Sequence, residues 1–123
     1  MKILLIEDDR IERKMIRRWL EGSGWRVFEA SDGNEGLAQC RRHRPDLVIT
    51  DIVMPDKEGI ELIIDIRFND PDIKLIAISG AGNRPGEYLP IAKAVGAQRT
   101  FLKPIDRAEL IDAVQALHSP DQG

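Results

Sequence analysis

The stretch LVITDIVMPDKEG, Leu47 to Gly59, begins as an apolar run long enough for a fully buried strand and ends that run in a single aspartate, Asp51. Met54 and Pro55 follow, and Gly59 closes the segment. A carboxylate at the end of a buried strand is costly unless something pairs with it. The rest of the chain must supply the partner.

Similar runs recur at residues 2–7 (KILLIE), 25–30 (WRVFEA) and 73–79 (IKLIAIS), with a weaker one at 99–102 (RTFL). Each has strand length. Helical patterns lie between them. Residues 10–21 carry Ile11, Met15, Ile16, Trp19 and Leu20 as a stripe at the helical period, and Gly22 and Gly24 follow as stop signals. Residues 33–43, 58–68 and 106–117 read similarly, the last opening on Asp106 with Glu109 three places on, a capping-box spacing. The segment 86–95 forms a helix only with Pro90 in its first turn. Strand and helix therefore alternate five times, which predicts a doubly wound α/β fold: a parallel five-stranded sheet with helices on both faces. Strands one, three and four, the most uniformly apolar, are expected at its centre.

A chain of 123 residues is one domain by size, here residues 1–118 with a short tail, SPDQG, at 119–123. Apolar residues make up 42% and charged residues 32%, ordinary for a globular protein. No apolar run reaches the roughly 18 residues of a membrane span. The N-terminus turns acidic after five residues, unlike a signal peptide. The single cysteine, Cys40, has no disulfide or metal-ligand companion, consistent with a reducing compartment, so a cytoplasmic location and no membrane partner are expected. The net charge of −3 argues weakly against direct nucleic-acid binding.

In open sheets of this kind ligands bind beyond the carboxyl ends of the strands. Strand one ends in Glu7, Asp8 and Asp9, strand three in Asp51, strand four in Ser79, and strand five runs into Lys103 and Pro104. Clustered carboxylates repel, so the group calls for a cation. Magnesium suits Asp9 and Asp51 as direct ligands, Asp8 through water, and a backbone carbonyl near Val53. Lys103 can pair with Asp51 at rest. An ionised aspartate flanked by a metal is a candidate nucleophile toward phosphorus, with Lys103 and Ser79 stabilising the transferring group. Taken singly, Asp8 and Asp9 also read as caps of helix one, Asp51 as a turn residue and Ser79 as a loop residue. Only their joint placement at strand ends is specific.

With EDD after strand one, DIVMPDKEG after strand three, SG after strand four and KP after strand five, the sequence resembles the CheY-like response-regulator receiver domain of two-component signalling over residues 1 to about 118. The resemblance implies a flavodoxin-like fold with strand order 2-1-3-4-5. It implies Asp51 as phosphoacceptor, Asp8 and Asp9 with the Val53 carbonyl as magnesium ligands, Ser79 as switch hydroxyl, and Lys103 joined to Pro104 by a cis peptide. It further implies a histidine kinase or histidine phosphotransfer protein as donor, a downstream protein target, and a regulatory domain that is not an enzyme beyond assisting its own phosphorylation and dephosphorylation. Helix one, which contacts the donor in that family, carries five cations against two acids, with Arg10 and Lys14 as docking candidates.

Two departures stand out. Thr100 occupies the place of the family's usual aromatic, with Phe101 beside it facing the core, and the glycine-rich segment after Ser79 is longer than usual. A branched threonine is a poor lever. The switch is therefore expected in residues 80–90, Tyr88 included, with strand five nearly still. A flavin-binding flavodoxin would want a phosphate loop where EDDRIER stands, and a haloacid-dehalogenase phosphatase would want an acid where Val53 stands. The start at Met1 and the end just past helix five favour a stand-alone regulator, the alternative being a receiver from a longer chain with a DNA-binding or enzymatic output.

Overall fold

Strands that are apolar on both faces can be satisfied only inside a sheet covered on both sides. The structure is a computed structural model, and it describes residues 1–52, 59–80 and 89–118. Its elements alternate: β1 (Lys2–Ile6), α1 (Arg10–Gly22), β2 (Arg26–Ala30), α2 (Gly33–His43), β3 (Leu47–Asp51), α3 (Gly59–Asn69), β4 (Lys74–Ser79), α4 (Leu89–Ala94), β5 (Arg99–Leu102) and α5 (Arg107–His118). The strands form one parallel sheet in the order β2-β1-β3-β4-β5, so β1, β3 and β4 are internal as expected. Every residue of β3 is buried, whereas β5, at an edge, has none buried.

The pleat sends alternate residues to opposite faces. Ile3, Leu5, Ile49, Ile76 and Ile78 pack with Ile16 and Leu20 of α1 and with Leu110, Ala113 and Val114 of α5. Leu4, Ile6, Val48, Leu75 and Ala77 pack on the other face with Leu62, Ile63 and Ile66 of α3 and Ala92 of α4. Phe101 joins the first face, while Thr100, its neighbour on β5, is half-buried. Each large aliphatic side chain buried in this way contributes about 1.5–3 kcal/mol.

Helix ends follow local chemistry. The Glu109 N–H donates to Asp106 Oδ1 at 3.0 Å, as the capping spacing anticipates, and the Glu35 N–H donates to Asp32 Oδ1 at 2.8 Å. Pro90 lies in the first turn of α4, where its missing N–H costs no helical bond. Residues 86–88 of the expected helix, Tyr88 among them, lie outside the described residues, as does the tail at 119–123.

The stripe on α1 needs correcting. Ile16 and Leu20 are fully buried, but Ile11 is 80% exposed and Met15 38%. Ile11, Met15 and Trp19 form one i,i+4 row and Ile16 and Leu20 the next. Only the second row faces the sheet squarely, and Trp19 packs at its margin.

Gly59 answers part of the question raised by the β3 stretch. A Cβ there would sit 2.1 Å from Ile52 Cα, so α3 begins in direct backbone contact with the residue after Asp51.

Candidate functional site

The carboxyl end of β1 delivers Glu7 and Asp8, and that of β3 delivers Asp51. Ligand atoms of these three carboxylates lie within 4.8 Å of one another. Glu7 and Asp51 are each 2% exposed, while Asp8 is open to solvent. From the far side of β4, Lys103 sends its ammonium to Asp51 Oδ2 at 2.8 Å and to Glu7 Oε1 at 3.0 Å. A third carboxylate, Glu12 of α1, lies 2.9 Å from the same nitrogen.

The backbone places the lysine. Its N–H donates to the Ser79 carbonyl at 2.8 Å, extending the β4–β5 ladder one step, and the Lys103–Pro104 peptide is cis. Gly80 lets the two strand ends close: a Cβ there would meet Lys103 Cβ at 2.4 Å. Ser79 is buried at the end of β4, one strand from Asp51, which pairs in register with Ile78.

Asp9, expected among the metal carboxylates, is outside this group. It is the N-cap of α1, its Oδ1 accepting the N–H of Ile11 at 2.9 Å and of Glu12 at 3.2 Å. Those bonds hold its carboxyl below the ordinary range. Glu7 takes the place in the cluster that the sequence reading assigned to Asp9. A usable signal was present: of three acids in a row before a helix, the last is the one placed to cap it. The Val53 carbonyl lies outside the described residues.

Burial, and then the nearby Asp51 charge, push the Glu7 carboxyl up to about 8, although the Asp9 N–H and Lys103 both oppose the rise. Burial alone would lower the Lys103 ammonium, but Asp51, Glu12 and Glu7 together hold it well above its ordinary value. Lys103 is a fixed positive charge.

A second charged group, missed in the sequence, braces α1 against the edge strand. Glu29 of β2 accepts from Arg13 at 2.8 Å and from Lys14 at 3.0 Å, and also pairs with Arg17. Against burial, which raises it, these cations pull the Glu29 carboxyl down to about 2. Arg13 also donates to the Glu7 carbonyl at 2.8 Å, tying the acid site to this brace. Lys14, read as a docking residue, is thus partly engaged at home, though its side chain is 49% exposed. Arg10 is exposed beside the site.

The donor set fits magnesium. All three converging groups are hard oxygen donors, and a divalent ion would offset the burial and the Asp51 charge that push the Glu7 carboxyl up.

The sheet order, the strand-end carboxylates and the bridging lysine are those of a two-component signalling module. The chain belongs to the response regulator receiver domain family, which it matches over residues 3–115. It is 31% identical over 114 residues to sporulation initiation phosphotransferase F of Bacillus subtilis, covering 93% of this chain and 90% of that one. It is 33% identical to response regulator MprA of a Mycobacterium species over 126 residues, covering 100% of this chain and 54% of that one. A CheY-like receiver domain structure from Methanospirillum hungatei superposes with a TM-score of 0.89 at 27% identity, covering 98% and 96% of the two chains. The chain spans about half the length or less of several curated relatives it matches. Receiver domains are regulatory partners of histidine kinases or phosphotransfer proteins and bind magnesium at this acidic pocket.

Proposed function

We propose that this chain accepts one phosphoryl group on Asp51, with magnesium, from a phosphohistidine donor protein or a small phosphodonor such as acetyl phosphate. One observation carries this reading: the buried Asp51 carboxylate, at the end of a central strand, lies 2.8 Å from the Lys103 ammonium and within 4.8 Å of the carboxylates of Glu7 and Asp8.

An Asp51 carboxylate oxygen attacks phosphorus, and the P–N bond to the donor histidine breaks as the new P–O bond forms. The electron pair leaves with the imidazole. Lys103 neutralises charge on the equatorial phosphoryl oxygens, and the Ser79 hydroxyl donates to one of them. Glu7, Asp8 and Asp51 would hold magnesium, which would supply further neutralisation. Asp9 contributes by capping α1, which keeps the β1–α1 turn in place.

The exposed row of Ile11 and Met15, flanked by Arg10 and Lys14, offers the donor an apolar and cationic surface on the helix that Asp9 caps. A helical donor surface with an acidic rim fits it. The output is a protein contact whose surface changes when Asp51 gains charge. Thr100 is too small to act as the family's aromatic lever.

Intact mass spectrometry after incubation with acetyl phosphate and magnesium tests the assignment. Wild type should gain one phosphoryl group and Asp51→Asn none. Equal labelling of both would place the acceptor elsewhere.

A further inference from the structure

Between the C-terminal ends of α2 and α3, at the edge of the sheet opposite Asp51, lies a cavity of about 210 Å³. Leu37 and Cys40 of α2, Ile66 of α3 and Ile73 form its apolar lining. Ile66 and Ile73 are buried in the core behind it, and Leu37 and Cys40 pack against that core half-buried. Burial, and then the Asp70 charge, push the Cys40 thiol up to about 11, although Arg41 opposes the rise. The neutral thiol thus adds to the apolar floor.

The rim is cationic. Arg41 and Arg44 line it and are exposed, and among the described residues neither guanidinium has an ion pair or a hydrogen bond. Across from them, the Asn69 amide donates to the Asp65 carbonyl at 2.9 Å and Asp70 Oδ1 accepts the Asp72 N–H at 3.2 Å, so both polar groups of the α3 side are engaged in their own turn. Two unpaired cations face one acid.

Arg44 stands, moreover, where glycine is the common choice. As the C-cap of α2 it has φ 47° and ψ 63°, a left-handed conformation, and its N–H donates to the Cys40 carbonyl at 3.0 Å. A side chain is disfavoured there, so an arginine works against the stability of the helix end it closes.

We propose that this cavity is a second binding site, for a small apolar monocarboxylate whose hydrocarbon part lies against Leu37, Ile66 and Ile73 and whose carboxylate meets Arg41 and Arg44. Guanidinium forks match a carboxylate in shape as well as charge. An apolar cavity of about 150 Å³ is enough for one six-carbon ring, whereas drug-sized ligands need roughly 300 Å³ or more, which sets the size of the ligand. A second negative charge on it would face Asp70. The site shares no residue with the acid cluster, so the inference is independent of the role of Asp51.

The probe is cyclohexanecarboxylate, titrated into the full chain and followed by amide and methyl resonances. Two controls divide its features: cyclohexanecarboxamide keeps the ring without the charge, and acetate keeps the charge without the ring. The acid should bind in the low millimolar range and shift the resonances of Leu37, Cys40, Ile66 and Ile73. The amide should bind about five- to tenfold more weakly, and acetate should shift none of these.

Arg41→Gln and Arg44→Gly should each weaken the acid about threefold or more and leave the amide unchanged. Arg44→Gly should leave the urea midpoint unchanged or raised, since glycine suits the left-handed position, so its loss of binding cannot come from a damaged fold. Equal affinity for acid and amide would overturn the proposal, as would shifts centred on α1 or Lys103, or no saturable binding at millimolar concentration.

Discussion

Lys103 Nζ lies 2.8 Å from Asp51 Oδ2 although β4 separates their strands in the sheet. The side chain spans the end of an entire strand to make that bond. Its backbone is held for the purpose by the Ser79 carbonyl and by the space that Gly80 leaves. Lys103→Met should therefore retain magnesium binding through the three carboxylates while labelling with acetyl phosphate falls about 10²-fold, the usual cost of removing one preorganised charge. Parallel magnesium titrations and labelling time courses separate the two effects.

Glu7 makes both stability and metal affinity depend on pH. Its folded-state value of about 8 exceeds its ordinary 4.5, so the folded protein binds this proton more tightly than the unfolded chain does. Metal-free stability should fall as pH rises through that window. Magnesium affinity should rise over the upper part of the same window and level off above about 8, because binding must release the proton. Urea unfolding in chelator at several pH values, repeated for Glu7→Gln, checks this. The substitution should remove the Glu7 part of the slope.

The cationic, apolar side of α1 makes a kinetic prediction. Reversing charge at Arg10 and Lys14 should slow phosphotransfer from a donor protein by about tenfold at low salt, with the deficit narrowing as salt rises. Labelling by acetyl phosphate should persist, since neither side chain touches Asp51 or Lys103. Stopped-flow transfer at two ionic strengths, set beside small-donor labelling, decides. Equal loss of both activities would mean that the double variant damages the site itself.

Gly59→Ala should destabilise the fold by about 1–3 kcal/mol, because the new Cβ meets backbone that cannot rotate away, 2.1 Å from Ile52 Cα. Chemical denaturation measures the cost. As that contact adjoins Asp51, labelling should fall as well.

The α/β alternation, the central places of strands one, three and four, the capping role of Asp106 and the pairing of Asp51 with Lys103 were all legible before any coordinates. Each is written in local pattern: apolar runs mean burial on both faces, cap residues stand at fixed offsets from the helices they start, and the strand-end rule gathers residues distant in sequence onto one edge. Resemblance added the strand order and the cis peptide. Tertiary structure decided three features, although a local cap signal pointed to the first. Asp9 turned to its helix and Glu7 to the acid cluster, because the first turn of α1 claimed the nearer carboxylate for its N–H groups. Ile11 and Met15 faced outward because a helix on a flat sheet buries one row fully and leaves the adjacent row on its flank. Glu12 met Lys103, 91 residues later in the chain, across a gap that no local periodicity encodes. That meeting depends on how α1 docks beside the end of β5, a consequence of packing over the whole sheet.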